Sequence, residues 1–296
     1  GLRTLPRRME QVMFDGLRLL HWKPERRADG VLVLTFDRAD KGVNALSRAV
    51  IDELDSMLER IALDLPKGVV IRSGKAAGFI PGADIETFGE IEAKGQTEDW
   101  IRRGQLVFQR LAELRCPSVA VIHGHCMGGG TEISLACRYR VASNDDSTRI
   151  GLPEIKLGIY PGWGGSVRMP RLIGAPAAMD LMLTGRSLSA SSAKAMGVVD
   201  RVVDPPMLLE AALGLIQRGA QRPFKQRFMA WATNTWLARQ ILAPQIVKAT
   251  SRKARKEHYP APFLLISTWQ RSGGQSIHAA LKAEARSVVK LAQTST

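Results

Sequence analysis

The chain has 296 residues, of which 45% are hydrophobic, and a formal net charge of +14 at pH 7. This length suits one large domain with an appendage, or two small domains. No run of about 18 apolar residues occurs, which argues against a transmembrane helix. The first eight residues are basic and lack an apolar signal-peptide core, so we predict that residues 1–12 are a leader or a remnant of expression.

The cysteine and histidine patterns argue against disulfides and metals. Cys116, Cys126 and Cys137 are an odd, unclustered set, which predicts buried free thiols in a reducing compartment. His123 and His125 alternate as on a strand, but no carboxylate or cysteine cluster completes a metal site at a recognisable spacing. We therefore predict no bound metal.

Strands and helices alternate through the first two thirds of the sequence. The apolar, β-branched residues 31–36 predict a buried strand, and the apolar residues after Ser47 recur three and four apart, as on one face of a helix that Ser47 caps. Such alternation favours an α/β architecture. The other predicted strands are residues 68–72, 118–123, 139–143 and 198–203, and the other predicted helices are residues 97–114, 133–136, 175–183 and 189–196.

Beyond Pro206 the sequence becomes basic and mostly helical. Residues 216–296 contain 14 Lys and Arg but only Glu257 and Glu284, a net charge of +12. A solvated basic helical surface is the commoner explanation, although such a segment can also face a nucleic acid, an acidic partner or a phosphorylated ligand. We expect breaks in the helices at Pro223, Pro244, Pro260, Pro262 and Gly273-Gly274.

Two glutamates lie in glycine-rich segments. Glu132 follows residues 128–131, Gly-Gly-Gly-Thr, and Glu154 begins a segment that ends at Gly165. Small residues let a ligand approach the backbone closely, and a carboxyl group shielded from water can exchange protons near neutral pH. Either glutamate alone is also compatible with an ordinary turn and a solvated carboxylate. Together they predict an acid/base pair.

Two loops can supply backbone donors. Residues 78–85 and residues 128–130 each connect a predicted strand to a predicted helix, and the start of a helix adds positive potential to exposed N–H groups. If the loops face each other, they can bind one developing oxyanion, and each donor typically lowers the barrier by about 3 to 4 kcal/mol. No Gly-x-Ser-x-Gly motif is present, which disfavours acyl-enzyme chemistry. The residues alone predict an acid/base enzyme that acts next to a carbonyl.

Three ordered motifs, residues 79–85, 128–132 and 152–165, resemble the enoyl-CoA hydratase (crotonase) family. The resemblance covers about residues 13–204, the predicted catalytic domain, and implies a crotonase-like α/β spiral of repeated β-β-α units with a C-terminal helical extension over residues 205–296. Residues 257–262 and 283–286 also resemble the linker that follows the hydratase part in α subunits of the fatty acid oxidation complex. Those proteins continue into a 3-hydroxyacyl-CoA dehydrogenase.

The resemblance implies a role for each matching residue. The N–H groups of Ala83 and Gly129 would form the oxyanion hole for the thioester carbonyl. Glu132 would orient and deprotonate the attacking water, and Glu154 would give a proton to the α carbon. Pro81 replaces a small residue of many relatives, but the donor is expected from Ala83. The implied substrate- and CoA-binding residues are Gly82, Asp84, Ile85, Glu86, Val43, Ala45, Gly128, Pro161, Gly162 and Trp163, and Trp163 and Tyr160 either line the acyl pocket or pack beneath the loop.

The implied reaction is the addition of water to trans-2-enoyl-CoA in fatty acid β-oxidation, without a metal or redox cofactor. Migration of a Δ3 double bond to Δ2 at the same site is the nearest alternative. An RNA-binding relative with a vestigial site is the alternative from another class, but Trp231, Trp236 and Trp269 are separated from the densest basic cluster, residues 252–256. The resemblance also implies a homotrimer or docking to a thiolase subunit, in the bacterial cytoplasm or the mitochondrial matrix.

Overall fold

A computed structural model describes residues 13–84, 91 and 95–294. The strands are β1 (Trp22–Arg26), β2 (Val31–Phe36), β3 (Ala45–Leu46), β4 (Gly68–Ser73), β5 (Gly82–Ala83), β6 (Ser118–Ile122), β7 (His125–Met127), β8 (Tyr139–Ser143), β9 (Arg149–Gly151), β10 (Ser187–Leu188) and β11 (Arg201–Val203). The α-helices are α1 (Arg48–Leu63), α2 (Thr97–Ala112), α3 (Gly129–Ala136), α4 (Gly165–Ile173), α5 (Ala175–Thr184), α6 (Ala190–Met196), α7 (Leu208–Arg218), α8 (Phe224–Ala232), α9 (Trp236–Ser251), α10 (Pro260–Ser272) and α11 (Ile277–Thr294). Two 3₁₀ turns span Glu154–Leu157 and Pro205–Met207.

A six-stranded sheet organises the molecule. Its strand order is β1-β2-β4-β6-β8-β11, in which β1 pairs antiparallel with β2 and all other neighbours are parallel. Parallel strands need crossover connections, and the alternation of strands and helices provides them. The predicted α/β architecture is therefore confirmed.

Both faces of this sheet are covered by helices. The odd-numbered Val31 and Val33 of β2 pack in one core with Leu208 and Leu215 of α7, whereas Leu32 and its even-numbered neighbours belong to the larger core on the other face. Successive side chains of a strand point to opposite faces, so a continuous apolar run fits a sheet that is buried on both sides. Residues before and after the predicted boundary at residue 204 thus pack in the same core.

Two smaller sheets bring the glycine-rich segments together. Strands β7 and β9 are parallel with Met127 opposite Gly151, so the chain leaves both strands at the same edge. Gly128 follows β7, and the loop to Glu154 follows β9. The other small sheet pairs β3 with β5 in parallel, with Leu46 opposite Ala83. Short strands set the positions of all three loops.

The elements with clear periodicity match their predictions. Ser47 caps α1 by accepting the N–H of Val50 at 3.4 Å, and Gly197 ends α6 in a left-handed conformation. The predicted free thiols are confirmed, because Cys116, Cys126 and Cys137 are all buried and unpaired by disulfides.

Four predictions about helices are corrected. Helix α3 begins at Gly129 rather than at residue 133. Its first two residues are packed so closely against Trp163 and Ile80 that only glycine fits there. Pro262 lies in the first turn of α10 instead of breaking that helix, because a missing N–H is tolerated there. Pro244 lies inside α9 instead of breaking it. The missing N–H weakens that helix, but burial of Ala243 and the bond from Gln270 to Gln240 at 3.0 Å hold α9 against α10. Helix α4 was not predicted.

Within residues 13–84, 91 and 95–294, no helix combines the length and the hydropathy that a bilayer crossing requires.

Candidate active site

Gly128 is the point at which the three predicted motifs meet. Its N–H donates to the carbonyl of Gly151 at 3.0 Å, which ties the end of β7 to the end of β9. A Cβ atom added to Gly128 would lie 3.4 Å from Oε1 of Glu154 and 3.9 Å from Cα of Gly82. The backbone has φ of 54° there, a conformation that favours glycine. The turn therefore brings Glu154 and the residue 78–85 loop to opposite sides of one small space.

The two predicted oxyanion donors flank that space. Asp84 donates its N–H to the Leu46 carbonyl at 2.9 Å, so the N–H of the preceding Ala83 points away from β3. Gly129 is the first residue of α3, where backbone N–H groups have no partner within the helix. Neither N–H group is therefore used by the β3–β5 pairing or by the helix α3, and the α3 dipole adds positive potential on one side.

Trp163 packs so closely against Gly129 that no side chain fits at residue 129. A Cβ atom at Gly129 would lie 2.9 Å from the Trp163 ring and 3.0 Å from Cδ1 of Leu46. The indole is itself held edge-on by Trp100 and Phe108, with ring centroids 5.0 and 5.6 Å away. At 5% exposure, Trp163 is a buried support beneath the oxyanion turn.

We predict that Gly129→Ala lowers the free energy of unfolding by about 1 to 3 kcal/mol, because the added methyl group overpacks the contact with Trp163. Urea denaturation measures this loss. Gly42→Ala is the matched control, since an added Cβ there meets no atom within 4 Å. Equal stability of the two variants would contradict the tight packing described for Gly129.

Glu132 holds the segment that begins α4. Its Oε1 accepts the N–H groups of Trp163 and Gly165, each at 2.8 Å, and the side chain is 3% exposed. Gly165 is required for this approach, because a Cβ atom there would lie 3.0 Å from the same oxygen. Burial, together with the charges of Glu154 and Glu284, raises the pKa of Glu132 well above the usual range. The two N–H bonds oppose that shift and favour the carboxylate.

Glu154 has the opposite environment. It begins a 3₁₀ turn, and its Oε2 is shielded from water with no hydrogen-bond partner among the described residues. Burial raises its pKa to about 8. Its own backbone N–H opposes this shift, and the charge of Glu284 adds to it. Burial thus raises the pKa of both glutamates, but two backbone donors favour the carboxylate of Glu132, whereas Oε2 of Glu154 has no partner among the described residues. This difference suits Glu132 to the role of base and Glu154 to that of acid.

Glu284 is a third carboxyl group close to Glu132 and Glu154, and the sequence did not single it out as part of the site. It lies on α11 with 0% exposure and accepts the N–H of Gly164 at 2.7 Å, the Gln105 amide at 2.9 Å and the hydroxyl of Ser166. Burial raises its pKa to about 7. The sequence contains one indication of this burial. Glu284 lies among the apolar residues Leu281, Ala285 and Val288, which occur at helical spacing and are all buried.

Glu132 and Glu284 accept hydrogen bonds from the same four-residue segment, residues 163–166. Glu132 accepts the N–H groups of residues 163 and 165, and Glu284 accepts that of residue 164 and the hydroxyl of residue 166. Two carboxyl groups thereby fix the start of α4. The N–H groups at a helix start have no partner within the helix, so they favour carboxyl groups as acceptors. The predicted C-terminal extension supplies one of them.

The three raised pKa values predict a pH-dependent stability. Glu154 stays protonated in the folded protein up to about pH 8, whereas it ionises near its ordinary value of 4.5 in the unfolded chain. The folded state therefore binds more protons between these values, and the free energy of unfolding is expected to fall as pH rises through that window. Urea midpoints measured from pH 5 to 8 test this, and Glu154→Gln should reduce the slope. An identical slope in the variant would contradict the raised pKa.

The residues predicted to bind CoA lie on neighbouring segments. Val43 is exposed and Ala45 begins β3, next to Gly82 and Ala83 of β5. Asp84 instead turns inward and pairs with buried Arg38 at 2.7 Å, so it fastens the two segments together. Ile85 and Glu86 fall outside the described residues.

The other predicted lining residues face the core. Gly162 accepts a hydrogen bond from Gln105 at 3.0 Å, and Pro161 is buried against Gly165. Tyr160 has 0% exposure and donates its hydroxyl to Thr268 at 3.4 Å. Packing beneath the loop is the role that the structure shows for Tyr160 and Trp163.

Comparisons with known proteins identify the family of the chain. The family model for enoyl-CoA hydratase/isomerase matches residues 26–256. The chain is 37% identical over 270 residues to the fatty acid oxidation complex subunit alpha of Vibrio cholerae, covering 88% of the chain and 38% of that protein. It is 38% identical over 264 residues to the same subunit of Shewanella amazonensis, covering 88% of the chain and 37% of that protein. The chain thus spans little more than a third of these relatives.

Solved structures share the fold. The enoyl-CoA hydratase of Bacillus anthracis aligns with a TM-score of 0.60 at 27% identity, covering 80% of the chain and 93% of that structure. Pseudomonas aeruginosa DspI aligns with a TM-score of 0.63 at 26% identity, covering 79% of the chain and 95% of that structure. The predicted crotonase-like fold is confirmed, and the chain belongs to the enoyl-CoA hydratase/isomerase family.

Proposed function

We propose that this chain adds water across the double bond of trans-2-enoyl-CoA to give 3-hydroxyacyl-CoA, a step of fatty acid β-oxidation. The observation that supports this most is the pair of glutamates at the Gly128 turn, in which Glu132 is buried and Glu154 is half-buried. Glu132 accepts two backbone N–H bonds, and Glu154 has a pKa of about 8 and a shielded Oε2 without a partner among the described residues. Hydration needs one base and one acid at the same moment, and pairs of carboxyl groups with divergent environments supply them.

The thioester carbonyl would lie between the N–H groups of Ala83 and Gly129. When water adds to the β carbon, the electron pair of the double bond moves toward the α carbon and the carbonyl oxygen. Two fixed donors stabilise that developing charge without reorganisation, because the backbone already holds them in place. Packing of Trp163 beneath Gly129 keeps the second donor rigid.

Glu132 would act on the water and Glu154 on the α carbon. Because both N–H bonds converge on Oε1 of Glu132, we assign Oε2 to the water. The water oxygen bonds to the β carbon as Glu132 takes its proton, and Glu154 gives its own proton to the α carbon. Glu132 and Glu154 then hold inverted protonation states, and proton exchange between them or with solvent restores the site. The addition of water is redox-neutral, and the two carboxyl groups with the backbone donors supply the base, the acid and the charge stabilisation, so the proposed mechanism uses no metal or redox cofactor.

The CoA moiety would cross the edge formed by residues 43–46 and 82–84, where Val43 and Ala83 are exposed. Strands β3 and β5 place these two predicted segments side by side. The ion pair between Asp84 and Arg38 fixes their spacing and keeps Asp84 away from the ligand. Assembly as a homotrimer, or docking to a thiolase subunit, is a further proposal that rests on the family resemblance.

Loss of the conjugated absorbance of crotonyl-CoA on addition of the purified chain tests the proposed hydration. We expect kcat to fall as pH rises above about 8, because Glu154 then loses the proton it must donate. A 3-enoyl-CoA serves as the second substrate. Conversion of the 3-enoyl thioester with no effect on crotonyl-CoA would replace hydration by isomerisation, and inertness toward both would contradict the proposal.

A further inference from the structure

A cavity of about 540 Å³ lies among the C-terminal helices, and none of the proposed catalytic residues lines it. Its walls come from the end of α4, from α8 with the segment before it, from the start of α9 and the turn that precedes it, and from the turn between α10 and α11. Four arginines and two tryptophans line it, but no acidic residue does so among the described parts of the chain. We call it the arginine cavity. Its lining arginines are Arg171, Arg222, Arg227 and Arg239.

Arg239 is buried without a counter-charge. The residue is 5% exposed, and its Nε and Nη1 atoms are shielded from water with no hydrogen-bond partner in the described chain. Gly274 makes room for it, because a Cβ atom there would lie 2.9 Å from Nη2. A buried guanidinium that lacks an acceptor is costly, so a group that supplies one would bind with a gain in stability.

Arg171 adds a second positive group to the same cavity. Its Nη2 donates to the Gln275 carbonyl at 2.7 Å, but its Nε is buried and unpartnered among the described residues. Burial lowers the pKa of Arg171, and the charge of Arg239 lowers it further. By contrast, Arg222 is already paired with Asp200 at 3.0 Å. Arg171 and Arg239 thus form a pair of like charges that lacks an anion.

The ligand chemistry follows from the arginines and from the tryptophans at the rim. Guanidinium groups match the geometry of a phosphate and bind it by paired hydrogen bonds. Trp231 and Trp236 line the cavity while 66% and 68% exposed, so their ring faces are open to a planar group. The volume lies within the usual range for small-molecule sites, roughly 300 to 1,000 Å³.

We propose that the arginine cavity binds a phosphate ester that carries a planar ring, the chemistry of a nucleotide. Arg171 and Arg239 hold the phosphoryl group, and the ring stacks on Trp231. The site is separate from the proposed hydratase site and does not depend on that function.

Calorimetric titration at constant ionic strength tests this proposal, with AMP, ribose 5-phosphate, inorganic phosphate and adenosine as probes. We expect AMP to bind at least tenfold more tightly than inorganic phosphate. Arg239→Gln should weaken AMP binding at least tenfold, while Arg252→Gln, an exposed arginine just after α9 that does not line the cavity, should leave it unchanged. Arg239→Gln should also be no less stable than the unchanged protein in the absence of ligand, because it removes an unpaired buried charge.

Trp231→Ala separates the two halves of the site, and its exposed position keeps the fold intact. It should weaken binding of AMP but not of inorganic phosphate. Equal affinities of AMP and phosphate would overturn the nucleotide assignment. Failure of AMP to bind at millimolar concentration, or equal binding by Arg239→Gln, would overturn the site, and hydration of crotonyl-CoA would be unaffected by either result.

Discussion

Replacing Glu154 by Gln is expected to lower kcat for hydration of an enoyl-CoA by roughly two to four orders of magnitude, the usual contribution of a general acid. The amide has nearly the same shape, so it fits against Gly128, but it cannot give a proton to the α carbon. Because Oε2 of Glu154 has no partner in the described structure, the substitution breaks no hydrogen bond at that atom. Stability near neutral pH should therefore be retained while turnover is lost.

Steady-state kinetics with crotonyl-CoA measure this effect. We expect KM to change little, because the thioester is held by backbone donors and by the β3–β5 edge. Glu98→Gln is the matched control, since Glu98 is an exposed glutamate on α2 that pairs only with Arg102 in the described structure. A Glu154→Gln variant with kcat within tenfold of the unchanged protein would show that another group donates the proton.

Replacing Glu284 by Ala is expected to lower the free energy of unfolding by about 3 to 5 kcal/mol, the range for breaking a buried charged network. Two donors lose their acceptor, the Gly164 N–H and the Ser166 hydroxyl, whereas the Gln105 amide keeps the carbonyls of Gly162 and Leu281. Each unsatisfied buried donor typically costs about 1 to 3 kcal/mol. Without Glu284, the start of α4 is less firmly held, and Trp163 and Gly165 of the same segment are the donors to Glu132.

Glu284→Gln distinguishes a positioning role from simple packing. The amide oxygen can still accept from Gly164 and Gln105, so the fold should be retained. The charge of Glu284 raises the pKa of Glu154 and of Glu132, and its removal should lower both. The alkaline limb of the kcat profile is then expected to move to lower pH. An unchanged pH profile, measured with the same substrate, would show that Glu284 supports the loop without influencing the acid/base pair.

Long elements with regular periodicity were predictable because their signals are local. The apolar run of β2 and the spacing of Ile51, Leu54 and Leu58 on α1 report burial at each position, and the structure buries them all. Helix α4 escaped prediction because it starts with two glycines and a serine, residues 164–166, whose placement depends on distant carboxyl groups. The start of α3 at Gly129 also depends on a contact with a distant part of the chain, because a Cβ atom at Gly130 would lie 2.1 Å from the Ile80 carbonyl oxygen.

The sequence by itself determined the family, the α/β architecture and the glycine-rich frames of Glu132 and Glu154. Only the tertiary structure decided how these glutamates differ, because the pKa of a carboxyl group depends on burial and on donors that come from other parts of the chain. It also brought Glu284 to Gly164, 120 residues away in sequence. Spacing along a helix tells which face is buried, but not which distant backbone N–H that face will meet.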